Sequence, residues 1–597
     1  MKLRNQNSGR IFNYFNSILL FVVLLIQVTT AYANQSSMAS AVKPGSSTGS
    51  FGLSGFESIN PYSGNLNFSL PLLNVSGRGS ASSSVKLTIN QKYTVNWWSW
   101  AEDPYRNPYV QDYYNEPNSI TFDNGYSPGL LVIDKIGFNP NPNCPNNASI
   151  YQVTLTKVSF IAPDGTEYSF RDRGTNGQPI TLATCQLNPP SRGTVFDSAD
   201  GGSATFISDS EIFDENYAGG YSTNTFGTGY IILRDGTRYR VEGGKVVWQQ
   251  DRNGNKISYT YITVGGISKI NKITDSLSRE VTFEYGVQDV APYGLCDRIT
   301  YKGFGGATRV IRISYRNLSD VLRSGHSIQT RGQLFPDIYG EACNQYGDPG
   351  SCPSYVNNPQ KPSAVWLPDG RSYKFQYNSY AELARVEMPT GSAIEYDWVN
   401  GFSIGSGIID RVIPPNNPSG QDKVDIYRRV SERRVYGDGV NLENKTVLYG
   451  TEALGNNQGS VIEDLYNSSG NLLSRTKHYY YGINSAPNMS GSFFYEAWIN
   501  GREYQTDSFG FTGTNLLRRA NTTWQQTSPN WYSGSSDAAP INNPKVVETI
   551  MTLSDSNQVS KRTFTYDSFN NLTDTFEYDY GIGAPGQFLR RSHTDYL

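Results

Sequence analysis

The sequence predicts an all-β protein built as a string of antiparallel β-hairpins. Three observations carry that prediction. Apolar and polar residues alternate in short runs: Val281, Phe283 and Tyr285 share one parity against Thr282 and Glu284, and Ile257, Tyr259 and Tyr261 share one against Ser258 and Thr260. A period of two puts the two sets on opposite faces of a strand. Between the runs stand Asp235-Gly236 and Asn253-Gly254-Asn255, which supply the positive-φ positions of tight hairpins. A phrase also recurs. Asp164-Gly165-Thr166-Glu167-Tyr168-Ser169-Phe170, Asp235-Gly236-Thr237-Arg238-Tyr239-Arg240-Val241 and Asp369-Gly370-Arg371-Ser372-Tyr373-Lys374-Phe375 are copies of Asp-Gly-x-x-Tyr-x-apolar, an internal repeat.

The elements follow in order. Lys2, Arg4 and Arg10 precede an unbroken apolar run, Ile18 to Ile26, and then Ala31-Tyr32-Ala33. That is the layout of an export signal with a small-x-small cleavage site, so residues 1–33 are read as a signal peptide and the rest as secreted or displayed at the cell surface. The apolar run is short for a membrane span. Residues 34–56 are rich in Ser, Gly and Ala and read as a flexible leader. An N-terminal β region, 57–225, opens on Asn60-Pro61-Tyr62-Ser63-Gly64 and the alternating Leu66, Phe68 and Leu70. Val85, Leu87 and Ile89 alternate again after Gly77-Arg78-Gly79, and a loop-rich insertion is expected over roughly 172–225. Residues 226–400 hold the clearest repeats, interrupted by an insertion at 318–360, and 401–597 carry further units. Among the latter are Leu465-Tyr466-Asn467-Ser468-Ser469-Gly470-Asn471-Leu472 and Tyr566-Asp567-Ser568-Phe569-Asn570-Asn571-Leu572.

Composition agrees with this layout. The 597 residues include 58 Gly, 30 Pro and 42 Tyr, which suits strands punctuated by turns, and the 13% aromatic content argues against disorder. A net charge of −3 gives no electrostatic reason to expect a nucleic-acid partner. Of five cysteines, Cys343 and Cys352 flank Asp348-Pro349-Gly350 and are the preferred disulfide pair in an exported chain. No Cys/His spacing suits zinc, and no cofactor motif is present.

One segment breaks the rhythm. Trp97, Trp98, Trp100, Tyr105, Tyr109, Tyr113 and Tyr114 crowd between Pro104, Pro108 and Pro117. Two readings stand: a platform on which sugar rings stack, making the chain a surface polysaccharide binder, or aromatics packed onto the sheet. The three histidines, His326, His478 and His593, have no nucleophile motif beside them, and no catalytic residue is assigned. Asp251-Arg252-Asn253-Gly254-Asn255 has the alternating oxygens of a calcium loop without its distal Glu, so a hairpin turn explains it better. Asn-x-Ser/Thr triplets such as Asn67-Phe68-Ser69 carry glycans only in a host that glycosylates exported chains. The unequal spacing of Asp164, Asp235 and Asp369 argues against a propeller hydrolase, and charged residues on the outward parity argue against a membrane barrel.

The Tyr-Asp units, the Asp-Gly-Thr-x-Tyr phrases, Asp251-Arg252-Asn253-Gly254-Asn255 and the opening Asn60-Pro61-Tyr62-Ser63-Gly64-Asn65-Leu66 together resemble the Rhs/YD-repeat proteins. The resemblance covers most of residues 57–597 in scattered segments. It implies a sheet strip wound into a hollow β-shell that encloses or presents a toxin or other polypeptide. The family's self-cleaving core segment and C-terminal toxin have no counterpart before Leu597. The expectation is therefore a shell whose repeats continue past the chain end, or one that works with a polypeptide encoded downstream or separately.

Overall fold

The computed structural model describes residues 51–62, 64–89, 93–98, 113–115, 126, 128–140, 152–162, 167–177, 180, 189–198, 203–214, 226–334, 356–400, 402–404, 407–409, 411–412, 421–426, 428–449, 452–454, 458–481, 499, 501–526, 544–568 and 570–596. The fold is almost wholly β. From Leu130–Pro140 to Phe588–His593 it forms one antiparallel sheet in which strands pair with their neighbours in sequence. The exceptions are local. The two-residue strand Glu452–Ala453 borders Gln458–Asn467, which also pairs with Leu442–Leu448. An excursion over 401–427 separates Ala393–Asn400 from its partner Arg428–Tyr436. Strand Gln421–Ile426 of that excursion pairs with Tyr93–Trp98 in a separate four-stranded sheet.

A four-stranded N-terminal meander, Phe51–Ser54, Glu57–Ile59, Leu66–Ser76 and Ser82–Ile89, lies over one face of the large sheet. It begins within the stretch read as leader, where Phe51 and Leu53 already alternate with Gly52 and Ser54. Leu66, Phe68, Leu70, Val85 and Leu87 share a single core with Ile257, Ile273, Ile299, Ile313, Phe375 and Tyr396 of the large sheet. The stretch 172–225 is less loop-like than its sequence suggests. It contributes Val195–Ser198 and Thr205–Ser208, four-residue strands whose Phe196 and Phe206 are buried beside each other. Alternation that short is hard to tell from coil.

The turn residues account for themselves. At Asp251, Asp275, Asn378, Asn467 and Asp567 the same five-residue loop is built. The first residue's N–H donates to the fifth residue's carbonyl, and its own carbonyl accepts from the fourth. Its side-chain Oδ1 accepts the fifth residue's N–H at 2.8 to 3.0 Å. The fourth residue takes a positive φ, at Gly254, Ser278, Ala381, Gly470 and Asn570. Asp251 also accepts the Asn255 side chain at 2.8 Å and the Ser80 N–H at 3.0 Å, so its oxygens are committed to the turn.

Two turn carboxylates, Asp251 and Asp438, titrate low. The Asn255 amide, ahead of the neighbouring N–H groups, holds Asp251 at about 2, and the N–H groups of Asn441 and Val440 hold Asp438 at about 2. A depressed pKa stabilises the fold above the unfolded value and loses that stabilisation as pH falls through the folded one. The turns should therefore hold down to the ordinary 3.8 and loosen between there and about 2. Amide exchange at Asn253, Asn255, Val440 and Asn441, corrected for intrinsic rate, is expected to rise over that window; a rise already complete at higher pH would contradict it.

Successive connections of a meander fall at alternate ends of the strands, and here the two ends differ. One rim carries tight turns: 233–237, 251–255, 275–279, 303–307, 367–371, 388–392, 437–441, 467–471, 510–515 and 554–557. The other carries the long connections 173–194, 209–228, 318–359, 401–427, 482–502 and 526–544 alongside the short turns 243–244, 265–266, 378–382 and 567–571. Hairpins zipped at the tight rim splay towards the long one, and aromatic side chains bridge the gap. The hydroxyls of Tyr261, Tyr285, Tyr377 and Tyr566 donate to the carbonyls of Val246, Ile270, Pro362 and Val546. The indoles of Trp398 and Trp524 donate to Leu383 and Glu503. In most of these clamps the residue before the acceptor is a cation lying over the same ring: Lys245, Lys269, Lys361, Arg502 and Lys545, at 4.7 to 5.9 Å. Tyr285→Phe removes one such donor and should cost about 1 kcal/mol. Exchange is expected to quicken at the open end of the 267–288 hairpin and stay unchanged at 275–279.

The strip winds back on itself. Lys245, at the long rim, pairs with Leu130 at the far end of its strand, and the Leu131 N–H donates to the Gly244 carbonyl at 2.8 Å. This contact closes the strands from Leu130–Pro140 to Lys245–Gln250 into a ring. Later strands return to the same region. Ser203 donates to the Asn571 side chain at 2.5 Å, and Arg234 lies 4.8 Å from the centre of the Tyr596 ring.

Candidate functional site

The face that carries the core changes character along the sheet. From Ile257 to Tyr396 its positions are filled by Ile, Val, Phe and Tyr, all buried against the meander. Following the register across the next strands, the same face mixes Arg433, Thr446, Glu463, Thr476 and His478 with the apolar Val435, Leu448, Val461 and Leu465. From Glu503–Phe509 onwards it presents Thr506, Ser508, Arg518, Ala520, Thr522, Thr549, Ser560, Arg562, Thr575, Glu577, Arg590 and Ser592, with Val547, Met551, Leu553 and Phe564 among them. Among the described strand residues after Glu503, Val559 is the one buried apolar side chain. The ladder continues, and most described side chains on both its faces are half-buried or exposed.

Ladders of opposite charge on the opposite face help hold this uncovered part together. Arg475 forks onto Asp464, Arg519 onto Asp507, and Arg591 bonds Asp574, each at 2.6 to 2.8 Å. Such cross-strand pairs replace the missing apolar contact with directional bonds.

The change from apolar to polar is marked by a buried cluster where the meander ends. Glu57 is fully buried; one carboxylate oxygen accepts Arg433 Nε at 3.0 Å and the other accepts the Tyr396 hydroxyl. Nearby, Gly64 lies so close to Arg429 that a Cβ would fall 2.4 Å from the arginine Cβ, and its φ of +67° also requires glycine. Its carbonyl accepts the Val430 N–H at 2.9 Å. Tyr62 packs at a tilt against Tyr480 with ring centres 4.8 Å apart. Next to them His478 is buried between two carboxylates, Glu503 at 2.7 Å from Nδ1 and Glu463 at 3.9 Å from Nε2. Burial opposes a charged imidazole, but the Glu503 hydrogen bond and the two carboxylates raise the His478 pKa above its ordinary value. Burial raises that of Glu463. The Glu57–Arg433 ion pair ties the meander to the sheet beside these charged groups.

The residues singled out from the sequence fall largely elsewhere. Trp97 and Trp98 belong to the strand Tyr93–Trp98, whose backbone pairs with Gln421–Ile426; their side chains, like Trp100, Tyr105 and Tyr109, lie outside the described residues. So do Cys343 and Cys352, whereas Cys296 is a buried free thiol. His326 lies against Arg323, with burial lowering its pKa, and His593 bonds Asp574. Glu57, Arg433 and the clamp aromatics were not found from the sequence. The clamp alone had a signal there, since donor and acceptor stand 15 residues apart in its first four instances.

No protein-family model matches the chain, and no curated protein matches it. Among solved structures it is similar to a porin-like protein from Bacteroides uniformis, at 10% identity and a TM-score of 0.16, covering 51% of this chain and 97% of that one. It is also similar to TcdB2-TccC3 without the hypervariable C-terminal region, at 9% identity and a TM-score of 0.19, covering 90% of this chain and 24% of that one. TcdB2-TccC3-Cdc42 aligns at 10% identity and a TM-score of 0.18, with 88% and 24% covered. The chain thus spans about a quarter of the toxin-complex chains it resembles. At scores this low, the fold rests on the chain's own strand pairing: a wound antiparallel β-sheet of the shell type.

Proposed function

We propose that this chain is an exported structural protein, a wall of wound β-sheet that encloses or presents another polypeptide. The observation that carries the reading is the change along the core-side face. A globular protein keeps that face apolar and covers it, whereas here it becomes largely polar and uncovered while the strands remain paired. Such a face suits the lining of a water-filled enclosure. The meander supplies an internal precedent, since a polypeptide segment of the chain itself already lies on the apolar part of that face. The reading includes no catalytic step, and residues 1–33 provide the route out of the cytoplasm.

Electron microscopy of the exported protein tests this directly. A closed or cup-shaped wall around a solvent-filled interior is expected, lined by the strands after Glu503. A solid particle with these strands packed together would overturn the proposal.

A further inference from the structure

We propose that the tight-turn rim between Arg252 and Arg309 is a docking edge for an anionic lipid surface. Two neighbouring hairpins end there in exposed apolar side chains. Leu277 is the middle residue of the turn 275–279, and Phe304 projects fully exposed from Gly303-Phe304-Gly305-Gly306. Their hairpins are adjacent in the sheet, so the tips stand about two strand spacings apart, about 10 Å. Nothing in the fold asks for these residues. The middle residues of other five-residue turns on the same rim are Asp235, Asn253, Asp369 and Ser469, and the exposed Val440 and Phe511 of the turns 437–441 and 510–515 lie on later hairpins, away from this basic stretch.

The charge around the tips is the second observation. Arg78, Arg252, Lys256, Arg279, Lys302 and Arg309 are all exposed on this stretch of rim. Arg78 comes from the meander, whose turn is fixed here by the Arg78 N–H donating to Ser276 Oγ at 2.7 Å. The acids nearby offset this only in part. Asp275 is buried and bonded to Arg279, Asp251 is folded into its own turn, and Glu280 bonds Lys272, which leaves Asp235 at the surface. Apolar tips surrounded by flexible cations match the interface of an anionic membrane, where the side chains enter the acyl boundary and the cations meet phosphate headgroups. A protein partner would cover the tips with a groove, but would not by itself account for a basic surround on both hairpins and the meander turn.

The test is co-sedimentation of the full chain with vesicles of phosphatidylglycerol and phosphatidylcholine, against vesicles of phosphatidylcholine alone. Binding to the anionic vesicles alone is expected, and it should weaken steeply with added salt. Phe304→Ser and Leu277→Ser should each reduce it, and Arg252→Ser, Lys256→Ser and Arg309→Ser should each weaken it about fivefold. These sites are exposed, so unchanged circular dichroism and melting would confirm that the variants remain folded. Equal binding to neutral vesicles would overturn the proposal, as would binding indifferent to all five substitutions. Concentration-dependent self-association abolished by Phe304→Ser would overturn it too, by assigning the rim to a second copy of the chain.

Discussion

Glu57→Ala is expected to loosen the N-terminal meander by about 3–5 kcal/mol, the usual cost of leaving one member of a buried ion pair alone. Arg433, 8% exposed in its side chain, would lose its hydrogen-bonded carboxylate, and the Tyr396 hydroxyl would lose its acceptor. The effect should be local at first. Exchange of amides in Leu66–Ser76 and Ser82–Ile89 should speed up, and protease should cut between the meander and the sheet, before the strands 256–317 respond. Restoring packing without charge separates the pair's contribution from its desolvation. The double variant Glu57→Gln, Arg433→Met should recover much of the loss, since a buried ion pair exchanged for neutral groups of similar volume is often neutral in stability. If Glu57→Ala left exchange of the meander unchanged, the cluster would not be the anchor described above.

Phe68→Ala should cost a similar amount, about 3–5 kcal/mol, by a different mechanism. The ring is fully buried and meets Phe56 and Phe375 edge-on, with centres 5.5 and 5.8 Å away. Truncation leaves a cavity between meander and sheet that two flanking strands cannot readily close. Phe68→Leu, which keeps most of the volume, should cost clearly less. Urea unfolding followed by tryptophan fluorescence, together with the same exchange measurement, distinguishes this from the Glu57 effect. Salt and pH should leave the Phe68 result unmoved. Equal losses for the Ala and Leu variants would contradict the packing argument.

The hairpins were legible because each repeat carries its own instructions. Asp251 and Asp275 begin loops whose hydrogen bonds close within five residues, and strands such as Lys256–Val264 alternate cleanly because one face is buried. The strands after Glu503 were harder to read for the same reason in reverse. Leu516–Gln525 reads Leu-Leu-Arg-Arg-Ala-Asn-Thr-Thr-Trp-Gln, with no apolar alternation, because neither face is covered. Four-residue strands such as Val195–Ser198 are too short for a period to register. The meander's anchor was invisible to local reasoning: Glu57 and Arg433 stand 376 residues apart, and each alone looks like an ordinary surface charge. The polar lining was equally hidden, because it is a property of a register carried across many strands rather than of any one segment.

The difference between the two rims bears on how such a chain can vary. Strand register is set at the tight turns, where an added or lost residue would flip every side chain that follows to the wrong face. The connections at 318–359, 482–502 and 526–544 leave from ends that the aromatic clamps already hold, and chain closure entropy grows only slowly with loop length. A whole folded domain inserted there should leave the ladders on either side intact. The architecture therefore separates a part that fixes geometry from a part free to diversify, so that new surface features can be acquired on one side of the strip without redesigning the sheet that carries them.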